Sequence, residues 1–233
     1  MKEKVRKVKK KKCGEQPIIH REWKAEVALK WMWAQGWWYK RFTKPKELTI
    51  LTAHNYNEKS LFERSMDFTG IKGYEVLKTE GEWKHTNKLV QVRDYIRNGR
   101  CKTDYLLFCD ARDCVMWDDP KKIVEIFERF NCKLLFNSTM SPVGCYRYWK
   151  GEMYHKGLDE KLFNWSNRIG VWKRYLNSGV FIGKPLFIEE VLDFSLRYIS
   201  DTITSDQGLI RTIQPIFHPY LKVDYGNELV YRN

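Results

Sequence analysis

The run Tyr105-Leu-Leu-Phe-Cys-Asp110-Ala-Arg112-Asp113 decides the fold. Leu106 to Cys109 form an apolar run, the pattern of a buried strand. The run then breaks into two carboxylates three residues apart. Ligands of parallel α/β sheets gather beyond the carboxyl ends of the strands, so Asp110 and Asp113 stand where chemistry is expected. Their hard oxygens can hold a divalent metal that bridges to a diphosphate. A turn cap, or an ion pair with Arg112, explains the same residues equally well.

On either side of this run, strands alternate with helices. Leu48-Thr-Ile-Leu-Thr-Ala53 reads as a strand, followed by a helix from about Glu58 to Phe68 and a strand at Tyr74–Leu77. A helix near Thr86–Arg97, the strand Asp104–Cys109, a helix over Pro120–Phe130 and a strand at Lys133–Phe136 come next. Residues 138–175 are aromatic, charged and irregular, which predicts a long loop or small subdomain over a site. Regular structure resumes with Gly179-Val-Phe-Ile-Gly183 and a helix over Pro185–Ile199. The alternation predicts an α/β fold with a largely parallel sheet.

The 233 residues allow one domain of ordinary size with short appendages, and 43% hydrophobic with 15% aromatic residues is enough for a substantial core. Lys+Arg 42 against Asp+Glu 29 leaves +13, and Met1–Lys12 carries eight basic residues and one Glu. Residues 1–14 therefore read as a basic arm suited to a polyanion, or as a solubilising tail. Residues 15–46 read as a Trp-rich helical extension. Trp23, Val27, Trp31 and Ala34 fall at helical spacing and Gly36 is a natural stop, so packing on the following domain is expected. A membrane-surface helix or a platform for unpaired bases would look similar. Residues 47–233 make the main domain.

No apolar run approaches the roughly 20 residues needed to span a bilayer. Cys13-Gly14-Glu15-Gln16-Pro17 occupies the place where a signal peptide would have its apolar region, so a cytoplasmic, non-secreted protein is expected. The six cysteines show neither C-x-x-C nor zinc spacing, and reduced thiols are the expectation. Asp118-Asp119-Pro120 has the form of ordinary helix capping. Leu176-Asn177-Ser178-Gly179 places small polar residues just before an apolar strand, and Ser205-Asp206-Gln207 reads as an N-cap or as a carboxylate presented to substrate.

Taken in order, the strand ending in Thr52-Ala53-His54-Asn55, Gly81-Glu82-Trp83 with Lys88, LLFCDARD, KLLFNS, YLNSGVFIG, SDQ and LKVDYGNELVY resemble the glycosyltransferase domain of the procollagen lysyl hydroxylases and its stand-alone bacterial and viral relatives. The resemblance spans about residues 47 to 231. It implies a GT-A fold, Rossmann-like with a mostly parallel sheet flanked by helices, using a UDP-hexose with Mn2+ or Mg2+. It places Asp110 and Asp113 as metal carboxylates and Thr52 and Ala53 at the nucleoside. Lys88, Arg112 and Ser178 join Asp110 around the nucleotide sugar, and Asp206, Asn177 and Gln207 stand at the reacting centre. Asp206 is the carboxylate expected nearest that centre, or else a group that positions the sugar hydroxyls.

The chain departs from the family at three points. Arg112 replaces a residue that is commonly aromatic, and the acidic run before the family's Asp-Gln is reduced to Thr202-Ile-Thr-Ser-Asp206. The family's third metal ligand, a His beyond the last strand, has no counterpart up to Asn233. His218 is the candidate substitute, and a loop histidine its alternative; His54 reads as a nucleotide or metal contact, or as a cap.

For the acceptor, charge points to DNA, and the chemistry demands a hydroxyl that ordinary bases lack. A 5-hydroxymethylpyrimidine such as 5-hydroxymethylcytosine, as in phage DNA hypermodification, meets both requirements. A cell-envelope glycan reached by peripheral membrane contact, a hydroxylated protein, and a degenerate GT-A module that only binds nucleic acid are the alternatives.

Overall fold

The structure, a computed structural model, describes residues 19–21, 30, 34, 41–139, 175–199 and 205–232. In chain order the strands are β1 (Ile19–Arg21), β2 (Leu48–His54), β3 (Glu75–Lys78), β4 (Tyr105–Cys109), β5 (Cys114–Met116), β6 (Leu134–Thr139), β7 (Tyr175–Gly183), β8 (Leu221–Asp224) and β9 (Val230–Arg232). The helices are α1 (Leu61–Thr69), α2 (Asn87–Arg97), α3 (Lys121–Arg129), α4 (Pro185–Leu196) and α5 (Asp206–Ile213). Among the described residues the larger sheet has the order β3-β2-β4-β7-β6-β8 and a smaller one the order β5-β1-β9. In the larger sheet β7 runs against both β4 and β6, and every other neighbouring pair is parallel.

Strand periodicity divides the core into two layers. Leu51, Leu106, Phe108, Leu134, Phe136 and Phe181 face one way and pack with α2, α4 and α5. Leu48, Ile50, Leu107, Cys109, Leu135 and Ile182 face the other way and pack with α1 and α3. Helices thus cover both faces of a mostly parallel sheet, in keeping with the α/β fold expected from the alternation of strands and helices. At the centre the Phe108 and Phe181 rings stack 5.1 Å apart, with Phe136 5.1 Å beyond Phe181. Each such ring contributes about 1.5–3 kcal/mol by leaving water.

Several elements differ from the sequence reading, among them β6, which runs on to Thr139 where the sequence predicts an irregular stretch from residue 138. Helix α1 begins at Leu61 rather than near Glu58, because Ser60 and Glu63 form a reciprocal capping box and Gly70 closes the helix in the left-handed region at φ 72°. Strand β7 begins at Tyr175, four residues before the apolar stretch starts, since Asn177 and Ser178 bond sideways rather than to water. The smaller sheet had no periodic signature, being built of three-residue strands. Its β1 lies inside the stretch read as a helical extension, and it is paired to β5 and β9 of the main domain. Lys30 and Ala34 are helical and exposed. The basic arm, the tryptophan face, and residues 140–174 of the irregular stretch lie outside the described residues.

Gly183 sits where β7 pairs with β4 and β6 at once, opposite both Leu106 and Leu134. A Cβ there would lie 2.5 Å from the Lys133 carbonyl oxygen and 3.0 Å from Leu134 Cα, both backbone atoms. Gly183→Ala is therefore expected to destabilise the fold by about 1–3 kcal/mol, read as a lower urea midpoint with an unchanged slope.

Candidate active site

The antiparallel β7 brings distant residues to one edge of the sheet. Its amino end, Tyr175 to Ser178, lies beside the carboxyl ends of the parallel strands β4 and β6. Asp110, the first residue beyond β4, donates its backbone N–H to the Gly179 carbonyl at 2.7 Å. Between Phe136 and Asn137 the β6–β7 register slips, pairing Phe136 with Phe181 but Asn137 with Asn177. Asn137 Oδ1 accepts from the Val180 N–H at 3.2 Å and spans the break. Asn137 Nδ2 is buried without a hydrogen-bond partner among the described residues.

The periodicity that splits the core also aims Asp110 at the face covered by α2 and α5. There the Lys88 ammonium, on the first turn of α2, lies 2.8 Å from Asp110 Oδ1 and 2.7 Å from Asp206 Oδ2. Its side chain is 6% exposed, and it also lies 5.8 Å from the centre of the Phe108 ring. Ser178 Oγ donates to Asp206 Oδ2. Ser205 caps α5 by accepting from the Gly208 N–H, which places Asp206 in the first turn, where the helix dipole favours a carboxylate. Burial alone would raise the Asp206 pKa, but the Lys88 ammonium and the bonds from Lys88 and Ser178 outweigh it and hold the carboxyl below its usual value. Asn177 Nδ2 donates to Gln207 Oε1 at 2.7 Å while Asn177 Oδ1 accepts from the Gly179 N–H at 2.9 Å.

The rim beside this cluster is formed by the loop after β2. His54 is buried, and its Nδ1 accepts from the Tyr56 N–H at 3.1 Å, which leaves the proton on Nε2 to donate to Glu63 Oε2 at 2.8 Å. Burial pushes the imidazole pKa down; the Glu63 hydrogen bond opposes the fall and the Lys78 ammonium adds to it. Tyr56 is 40% exposed, and its ring stacks on His54 at 4.8 Å. Its phenol is raised by burial first, then acted on by Arg112, Asp110 and Asp113. Arg112 is exposed in the loop after β4.

Of the residues singled out from sequence, Lys88, Asp110, Asn177, Ser178, Asp206 and Gln207 form one connected cluster, with Arg112 and Asp113 in the adjoining loop. Lys88 lies inside the cluster between two carboxylates. Thr52 and Ala53 are buried, and Thr52 donates its hydroxyl to the Cys109 carbonyl at 2.7 Å, joining β2 to β4 instead of presenting it to a ligand. His54 holds the capping-box glutamate and the Tyr56 backbone. Asp119 Oδ1 accepts from the Lys121 N–H at 3.0 Å, which is the capping expected of it.

His218 is not brought to the acidic pair. It precedes β8, whose Leu221 is level with Leu134 and, through Gly183, with Leu106. Asp110 lies four residues further along in the opposite direction, roughly 13 Å from that level. Two neighbours of the site escaped the sequence reading. Tyr56 had a faint signal, an aromatic two residues past a strand end; His85, exposed and acting electrostatically on Asp206, had none.

Among the described residues no three His, Cys, Asp or Glu side chains converge as a metal site. Asp113 follows three residues past Asp110 in the loop between β4 and β5. Asp110 already holds a cation, the Lys88 ammonium. No protein-family model matches the chain, and no curated protein matches it in sequence.

Two measurements follow from this geometry. Removing Lys88 leaves a buried carboxylate uncompensated, so Lys88→Met is expected to cost roughly 3–5 kcal/mol, of which Lys88→Met/Asp206→Asn regains the greater part in a chemical-denaturation cycle. Because the folded-state pKa of His54 is depressed, the stability its neutral form contributes is present above about pH 6.5 and is lost as pH falls through the folded value. Thermal melts between pH 7 and pH 5 should show this loss, and His54→Gln should flatten it.

Proposed function

We propose that the chain is a GT-A-type glycosyltransferase that moves a hexose from a UDP-sugar to a hydroxyl on DNA, best matched by a 5-hydroxymethylpyrimidine. The observation that carries this reading is the convergence of Lys88, Asp110, Asn177, Ser178, Asp206 and Gln207 at the carboxyl edge of a mostly parallel sheet. The ends of β2 and β4 are also the place where strand order reverses, with β3 lying on one side and β7, β6 and β8 on the other. Nucleotides bind at such switch points. A single reversed strand in the sheet is compatible with the GT-A architecture that the motif order resembles.

In this reading Tyr56 and Arg112 offer an aromatic face and a guanidinium plane to the base, Arg112 alone having replaced the family's aromatic residue. Lys88 faces the diphosphate. Asp110 and Asp113 would hold a divalent ion, which when bound stabilises charge on the departing diphosphate. The acceptor oxygen bonds to the anomeric carbon as the bond from that carbon to the phosphate oxygen breaks. The electron pair leaves with UDP, and the hydroxyl proton passes to the departing diphosphate. Asp206, held ionised by Lys88 and Ser178, is a poor proton acceptor. Its part is to stabilise positive charge at the anomeric carbon and to orient sugar hydroxyls alongside Asn177 and Gln207.

The acceptor assignment is supported by charge: eight basic residues in Met1–Lys12 and a net +13 overall suit a polyphosphate backbone. No helix among the described residues is long and apolar enough to cross a membrane.

Incubation with Mn2+, mixed UDP-hexoses and DNA containing 5-hydroxymethylcytosine, followed by digestion to nucleosides and mass spectrometry, is expected to show a hexose adduct. Asp110→Asn and Asp113→Asn should each lower its formation by about 10²–10³-fold while the proteins stay folded. UDP-sugar consumption without a nucleoside adduct would redirect the acceptor to glycans or hydroxylated proteins. No consumption at all would leave a nucleic-acid-binding module.

A further inference from the structure

The cluster contains a cation of its own. Lys88 bridges Asp110 and Asp206 with both contacts under 3 Å, and the side chains of Lys88 and Asp206 are almost wholly withdrawn from water. An ammonium so placed neutralises part of the negative charge that would draw a divalent ion to Asp110. It also repels that ion, because charges a few ångströms apart are poorly screened where water is excluded. The arrangement is stable without donor and unfavourable to a metal ion by itself.

A diphosphate reverses this balance. It brings oxygens that satisfy both an ammonium and a divalent ion, and Lys88, on the first turn of α2, carries its charge on a flexible four-carbon stem. Asp206 keeps the Ser178 hydroxyl and its helix-end position when the ammonium swings. We propose that Lys88 is the resident counter-cation of this site, that the donor diphosphate draws it off Asp110, and that a divalent ion binds at Asp110 only as this exchange occurs. Ion and nucleotide binding are then two halves of one event. The inference rests on the nucleotide-sugar reading of the site. It adds that the protein without donor does not hold its metal.

The test is a Mn2+ titration followed by electron paramagnetic resonance, with and without UDP, on the wild-type protein, Lys88→Met and Lys88→Met/Asp206→Asn, each checked for folding by circular dichroism. The double variant loses one positive and one negative charge, so its net charge equals the wild type's, and it keeps the comparison open if the single variant does not fold. UDP should tighten wild-type Mn2+ binding at least tenfold, with Mn2+ tightening UDP by the same factor. Without UDP the double variant should bind Mn2+ at least tenfold more tightly than wild type, and its response to UDP should shrink.

Phosphate ligation alone would also couple the two ligands, but it would leave nucleotide-free Mn2+ affinity independent of Lys88. Equal nucleotide-free affinities in wild type and double variant therefore overturn the exchange and leave the transferase reading standing. Wild-type Mn2+ binding that ignores UDP does the same. Absence of Mn2+ binding in every protein, even with UDP, overturns the metal-dependent transferase as well.

Discussion

The buried ammonium of Lys88 is the constraint around which the site is organised. Three elements remote in sequence meet on it: the loop after β4 through Asp110, the start of α5 through Asp206, and α2, which supplies the lysine. Ser178 draws in the amino end of β7 by bonding to the same Asp206 carboxylate. A charge withdrawn from water is tolerated only with its partners in place. The position of each element is thus tied to the others by the energy of leaving that charge uncompensated. Packing holds the two helical layers on the sheet, whereas this ion cluster sets the alignment at the carboxyl end of β4.

Reversal of β7 explains why that edge is so densely polar. Had β7 run with its neighbours, Asn177 and Ser178 would lie at the opposite end of the sheet, among the loops that hold His218 and Tyr220. Running against β4 and β6, it delivers small polar residues directly beside Asp110 and within reach of α5. The register slip opposite Asn137 takes Ser178–Val180 out of the β6 pairing, while Val180 stays opposite Cys109 of β4 and the Gly179 carbonyl accepts from the Asp110 N–H. A flat, continuous strand would have put those side chains into the ladder's ordinary alternation and given Asp206 no hydroxyl.

Much of this was legible in the residues themselves. The alternation of apolar runs with helical stretches predicts an α/β fold with a largely parallel sheet, and Leu51, Leu107, Phe108 and Ile182, each in a run read as a strand, are buried in its core. Asp110 and Asp206 were readable as edge carboxylates because each follows a strand end or opens a helix. Other features needed the third dimension. An apolar strand such as Val180–Ile182 reads the same in either direction, so the reversal of β7 leaves no trace in sequence. Lys88 looks like any lysine in a helix's first turn, since its burial depends on residues 22 and 118 positions away. His54 and Thr52 sit at the carboxyl end of β2, yet both turn inward to satisfy Glu63 and the Cys109 carbonyl. Three-residue strands such as β1 and β9 are too short for any periodicity to register.

The small sheet has an architectural consequence. Cys114, the first residue of β5, directly follows Asp113, and β5 pairs with β1, which pairs with β9. An early and a late segment of the chain therefore lie side by side as a clasp on the acidic loop. Synthesis must deliver Val230–Arg232 before the clasp can close, long after the loop itself has emerged. The loop's final setting is in this sense a record of Val230–Arg232 having been made and having reached β1.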